Sequence, residues 1–330
     1  MRVVDPSFGV RLREVRTARG LSLRDLSALC YLSKSQISEY ENGRRRPSFD
    51  IASTLDDALN ANGELSALVT ETRVENVELI SAAVAAPRQI NAEQVDALAS
   101  ALALSRHLDD SLPASALLPS VEGQLATVQI LARDARGPAA HEMQIVAAEF
   151  GQFAGWLNCQ VRNDKRAESL LSTAARDAMT LNAPDLASQC HNFRGAVERR
   201  KGNARGIARW FMAAYETPGT SDLHRVDAAI QAVHGMGLLG DHKGASALLA
   251  TADDLTTALD GKDDVSSPVA YWLTPSWLRL PLGLAYLGLG NYANAADNLR
   301  TGLEALPDGW QNAEWSVEYR EALALAEGAE

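Results

Sequence analysis

The 330 residues predict an all-α chain, a small helical head followed by a longer and irregular array of paired helices. Three observations carry that expectation. Apolar residues recur at three- and four-residue spacing along most of the chain, and period-2 alternation is absent from residue 138 onward. Proline and glycine break the chain into segments of helical length, as at Gly20, Gly43, Pro87, Pro113 and Gly137-Pro138. From Gly155 on, one pattern of small residues, aromatics and tight turns comes back several times.

Residues 1–9, with Pro6 and Gly9 as breakers, read as a loose arm. Val10, Leu12 and Val15 begin a first helix that ends at Gly20. Ser22 is placed to cap a second, carrying Leu23, Leu26 and Leu29 on its apolar side, and Cys30 to Leu32 interrupt that pattern. Ser33 caps a third helix on which Ile37 and Tyr40 face inward while Lys34, Ser35, Ser38 and Glu39 face out. Gly43 stops it, because glycine accepts the left-handed conformation at a helix C′ position. Two short helices around a tight turn, with polar side chains exposed at the start of the second, are what a major groove admits: a helix-turn-helix. Pro47 and Ser48 open a further helix, Phe49 to Leu59, with Ile51, Leu55 and Leu59 on one face and Asn62-Gly63 as its end. Residues 1–70 are thus expected to form one domain, 71–90 a helical linker within a helical stretch from Glu64 to Ala86, and 91–330 the repeat body. That body opens with two amphipathic helices, Asn91 to Asp110 and Ala114 to Arg136.

The string from Ser33 to Gly43, SKSQISEYENG, following LSLRDL at 21–26, resembles the lambda-repressor/Cro-like (Xre) family over roughly residues 10–59. The resemblance implies that Lys34, Ser35, Ser38 and Glu39 reach base edges, with Gln36 close to the DNA. It implies phosphate contacts from Ser22 and Arg24, from Asn42, and from Arg44, Arg45 and Arg46 in the loop after Gly43. It also implies an ion pair between Arg16 and Glu41. Tyr31 departs from the pattern, standing where the family usually places a glycine in the turn.

In the body, Leu282, Gly283, Tyr286, Gly290, Asn291, Tyr292, Ala295, Leu299 and Gly302, ending at Pro307, resemble a tetratricopeptide repeat. Looser copies turn at Asn163-Asp164, with Gly155, Ala167, Leu171 and Ala174; at Gly202-Asn203, with Gly195, Phe211 and Ala214; and at Gly240-Asp241, with Ala245, Leu249 and Ala252. The longest interval holds the polar stretch Asp260 to Ser267, and Glu314 to Glu327 is expected to close the solenoid with an acidic end toward water. With Leu108-Asp109-Asp110 followed by Leu117-Leu118-Pro119, the chain as a whole resembles the actinobacterial helix-turn-helix regulators with a tetratricopeptide-repeat domain, and it is similar to repressors whose repeat domain senses a peptide. Trp210, Tyr215, Tyr271, Trp272, Trp277 and Tyr286 supply interhelix packing or line the concave groove.

Charge is distributed unevenly along the chain. Residues 1–50 hold ten Lys/Arg against six Asp/Glu, net +4, whereas the remainder holds 21 against 36, net −15. A basic head on an acidic body suits a nucleic-acid binder whose body is repelled by DNA. With 46% hydrophobic residues the chain can bury a sizeable core and is not a disordered regulator. No apolar run approaches the roughly 20 residues needed to span a bilayer, and no export signal is read at the N-terminus. Cys30, Cys159 and Cys190 are scattered through helical patterns, as buried free thiols of a cytoplasmic protein would be.

Catalytic patterns fail on context. Gly288-x-Gly290-x-x-Ala293 has the spacing of a dinucleotide fingerprint, but a helical pattern precedes it instead of a strand. His141-Glu142 lacks the second histidine of a zinc-protease helix, and Cys190-His191 with Cys159 lacks metal spacing. No enzyme, cofactor or metal is expected. The partners expected are a palindromic double-stranded operator, a second copy of the chain, and a peptide, small molecule or protein effector in the repeat groove. The competing expectation is a protein-interaction adaptor or antitoxin-like scaffold in which DNA binding is secondary.

Overall fold

The computed structural model describes residues 2–5, 7–30, 32–61, 63–71, 74–259, 270–307, 310–311 and 313–328. Pro6, Tyr31, Asn62 and the stretch Asp260 to Ser267 singled out above lie outside the described residues.

The head consists of α1 (Phe8–Ala18), α2 (Leu23–Cys30), α3 (Lys34–Glu41) and α4 (Phe49–Leu59). Phe8, Leu12, Leu26, Ile37, Tyr40, Leu55 and Leu59 meet in one buried core. Local chemistry sets the helix starts. Ser22 and Asp25 cap each other, Ser22 N–H donating to Asp25 Oδ2 (2.9 Å) and Asp25 N–H to Ser22 Oγ (3.2 Å). Ser33 and Gln36 form the equivalent box on α3, and Ser48 Oγ accepts from Ile51 N–H at the start of α4. Leu29 is the exception on α2: it is exposed, and Cys30 fills the core position instead. The shift follows from the short helix, on which three i, i+3 residues sweep too wide an arc for all to face one core.

Two expectations about the head's edges are corrected. The N-terminal arm is not loose: β1 (Arg2–Val4) pairs antiparallel with β2 (Val69–Glu71), Val3 opposite Thr70. The stretch from Glu64 is not one helix either. A 3₁₀ turn at Ser66–Leu68 and then β2 precede α5 (Val74–Ala85). Asp56 turns the chain there by accepting from Leu65 N–H (2.8 Å) and Ser66 N–H (2.6 Å), which seats Leu65, Leu68 and Val69 in the head core. Helix α4 spans Phe49–Leu59 as expected, and its C-cap is the left-handed Asn60 (φ 43°) rather than Asn62-Gly63.

The body runs through α6 (Ala92–Asp109), α7 (Ala114–Asp134), α8 (Ala140–Gln160), α9 (Asp164–Thr180), α10 (Pro184–Arg200), α11 (Ala204–Tyr215), α12 (Asp222–Leu238), α13 (His242–Leu259), α14 (Pro275–Gly288), α15 (Tyr292–Glu304) and α16 (Val317–Gly328). The result is an all-α fold with an irregular, tetratricopeptide-like solenoid. Consecutive helices pack as pairs, and the first members α8, α10, α12 and α14 stack on one another. Close approach within a pair needs a missing side chain. A Cβ on Gly155, Gly195 or Gly283 would sit 2.4–2.8 Å from Leu171, Phe211 or Leu299, in each case sixteen residues on. That constant offset is the structural repeat. Cys30, Cys159 and Cys190 are all buried and free, and no helix among the described residues is long and apolar enough to cross a membrane.

Candidate nucleic-acid interface and inner cavity

Helix α3 separates its two faces sharply. Ile37 and Tyr40 are sealed in the core, while Lys34, Ser35 and Glu39 are exposed and Ser38 half-exposed. Gln36 is held back: its Oε1 accepts from Ser33 N–H (3.0 Å), so its side chain closes the capping box, where sequence reasoning turned it toward a ligand. At the other end Asn42 Nδ2 donates to the Ser38 carbonyl (2.6 Å), and Asn42 Oδ1 accepts from Arg13 Nη2 (2.8 Å). Arg44, Arg45 and Arg46 are exposed in the following loop, as are Ser22 and Arg24 at the start of α2. Arg45 stands 3.7 Å from the Glu39 carboxylate and over the Tyr40 ring, so Glu39 is screened by a neighbouring cation. The two hydrogen bonds from Ser22 hold the exposed Asp25 carboxyl below its ordinary value, which keeps this cap ionised.

A nearly buried ion pair ties α3 to α1. Arg16 Nε lies 2.5 Å from Glu41 Oε1 and Nη2 3.0 Å from Oε2, a two-point fork, and Arg16 Nη1 donates to the Leu21 carbonyl (2.7 Å). Arg13 adds a longer contact to Glu41 at 3.4 Å. Sequence reasoning missed Arg13 altogether, although its place one helical turn before Arg16 was a usable signal.

A second cluster joins head to body. Asp5 Oδ1 accepts from Ser7 N–H (2.6 Å), and its Oδ2 lies 2.8 Å from His107 Nδ1 on α6. The His107 ring rests on Tyr271 (centroids 4.4 Å apart), whose hydroxyl donates to Asp110 Oδ2 (2.7 Å). Ser276 Oγ donates to Glu14 Oε1 on α1 (3.1 Å). Burial, reinforced by the nearby Asp5 charge, pushes the Asp110 carboxyl well up. The ligating atoms of Asp5, His107 and Asp110 lie within 4.8 Å of one another, close enough for a metal ion. Ser7 and Tyr271 already engage the two acids, so the cluster reads as a polar latch.

Beside the latch is a cavity enclosing about 880 Å³ of empty space, part of it open to solvent. Its walls come from α6, α8, α10 and α12, the segment before α14, and α16. Helix α16 closes it: Arg199 Nη2 and Nε reach Glu318 (2.9 and 3.0 Å), and Glu314 accepts from Ala114 N–H (3.1 Å). The acidic end expected to face water is therefore partly turned inward, because the curl of the stack brings α10 and α16 together. Of the six aromatics named from sequence, Tyr271, Trp272 and Trp277 line this space, while Trp210, Tyr215 and Tyr286 do not. Trp156, Phe193 and Trp315 line it unforeseen.

Comparison with known proteins agrees on the head. Residues 7–69 match the family described as a helix-turn-helix domain. Over 58 residues, 18% of this chain, the sequence is 45% identical to a protein of Methanothermobacter thermautotrophicus named as an HTH-type transcriptional regulatory protein. The match spans 19% of that relative's length. The head is thus a helix-turn-helix of the kind found in transcriptional regulators. Among solved structures, that of Bacillus thuringiensis PlcR in complex with the peptide PapR7 and DNA aligns over 98% of both chains at 13% identity and a TM-score of 0.38.

Proposed function

We propose that this chain is a sequence-specific, DNA-binding transcriptional regulator acting in the cytoplasm, with residues 1–70 as the reading head, 71–90 as the linker and 91–330 as the sensing and dimerising body. The observation that carries it is α3, whose inner face is buried and whose outer face offers Lys34, Ser35, Ser38 and Glu39 within a stretch, residues 1–50, of net charge +4. These four read base edges in the major groove. Ser22, Arg24, Asn42 and Arg44 to Arg46 hold phosphates and set the register. Gln36 contributes by fixing the start of α3. One eight-residue helix makes few base contacts, so two heads on a palindrome supply the specificity. An effector in the inner cavity acts by preferring one arrangement of the heads.

The test is a gel shift on the gene's own upstream region against a scrambled duplex across a salt series. Lys34→Ala with Ser35→Ala is expected to abolish the preference for the operator, at about 1–3 kcal/mol per lost base contact. Arg45→Ala is expected to weaken both duplexes alike and to flatten the salt slope. A double variant that still selects its operator normally would overturn the assignment.

A further inference from the structure

The walls of the inner cavity select for charge as well as shape. Resting on the effector-sensing reading above, we propose that this cavity binds a small hydrophobic organic cation, an amine or quaternary ammonium carried on an aromatic or alicyclic body. Trp156 and Phe193 stack at 4.7 Å and 29°, and Phe193 and Trp272 follow at 6.3 Å and 18°. Three half-buried rings therefore run nearly parallel along one wall, and Tyr271 meets Trp272 edge-on. Stacked in this way the rings cover part of one another's faces, and the remaining π surface, negative and shielded from water, attracts a cation.

The charges point the same way. Both arginines of the lining are already engaged, Arg106 with Glu149 (3.1 Å) and Gln152, Arg199 with Glu318 and Gln231. Asp109 and Asp227 are buried, and their hydrogen bonds come from neutral groups. Trp156 Nε1 (2.8 Å) and Gln160 donate to Asp109, and Asn192 and Gln231 donate to Asp227. A buried carboxyl with neutral partners gains most from an arriving positive charge. Burial accordingly raises Asp109 to about 7 and Asp227 to about 6. An anion would meet these acids with no free guanidinium to receive it.

The experiment titrates the full chain with benzyltrimethylammonium, benzyl alcohol and benzenesulfonate, read by calorimetry and by quenching of tryptophan fluorescence. The ammonium is expected to bind at least about tenfold more tightly than either of the others. Asp109→Asn keeps the acceptor for Trp156 but removes the charge, and is expected to erase most of that preference, as is Trp272→Ala. Should Asp109→Asn misfold, Asp227→Asn makes the same comparison. Equal or tighter binding of the alcohol or sulfonate overturns the proposal, as does no binding of the ammonium up to about 10 mM. Operator gel shifts run in parallel separate the two readings. Charge selectivity without DNA binding rejects the regulator alone, and DNA binding without charge selectivity rejects the ligand class alone.

Discussion

Removing the Glu41 carboxylate tests how α3 is held. The Arg16 side chain is 11% exposed and that of Glu41 4%, so Glu41→Ala strands a nearly buried guanidinium. Stranding one member of a buried pair costs about 3–5 kcal/mol. Arg16 keeps its bond to the Leu21 carbonyl and a little solvent, which places the expected cost near the lower end, about 3 kcal/mol. Replacing both partners, Arg16→Met with Glu41→Leu, removes the charge and its need together and is expected to stay within about 1 kcal/mol of the parent. All six tryptophans lie beyond residue 150, so fluorescence is blind to the head. Hydrogen exchange at the amides of α1 and α3 is the suitable measurement. Glu41→Ala should speed exchange there by roughly a hundredfold and leave α8 to α12 unchanged. A single variant costing under about 1 kcal/mol, or a double variant as damaging as the single, would refute the claim that this pair fixes α3.

Three more outcomes follow from particular contacts. Gly155→Ala brings a Cβ to 2.7 Å from Leu171 Cγ and should lower stability by about 1–3 kcal/mol. Gly123→Ala, on an exposed helical site with nothing within 4 Å, should raise it by up to about 1 kcal/mol, and denaturant midpoints of the two compare them directly. Tyr271→Phe removes the donor to Asp110 and should cost about 1–3 kcal/mol, appearing as faster exchange across β1 and β2; unchanged exchange there would mean that the latch does not hold the head. Asp109 keeps its proton up to about pH 7 when folded, whereas the unfolded chain releases it near pH 4. Between those limits the unfolded state binds fewer protons, so this group's contribution to stability falls as pH rises, and Asp109→Asn should flatten that part of a urea-midpoint profile.

Much of the head was readable because its determinants are local. The caps at Ser22, Ser33 and Ser48, the stop at Gly43 and the inward pair Ile37 and Tyr40 act within one or two helical turns. Leu29 and Gln36 show the limit. Apolar spacing names a face but not how much of it finds a partner, and a polar residue at the third position of a helix can serve the cap before any ligand. The repeat glycines were legible for a similar reason, since one fixed offset recurs in three pairs.

By itself the sequence determined the all-helical class, the basic balance of the first 50 residues against an acidic remainder, and the helix whose outer face stays exposed. Each of these depends on residues within a turn or two, or on summed charge, and both survive in a linear string. The tertiary structure alone decided that the arm pairs with residues 69–71, that Asp5 meets His107, and that Arg199 reaches Glu318 to close an aromatic cavity. Those contacts join residues 65 to 119 positions apart. The last of them depends on small rotations accumulated from helix to helix along the stack, and no neighbouring pair of residues encodes that sum.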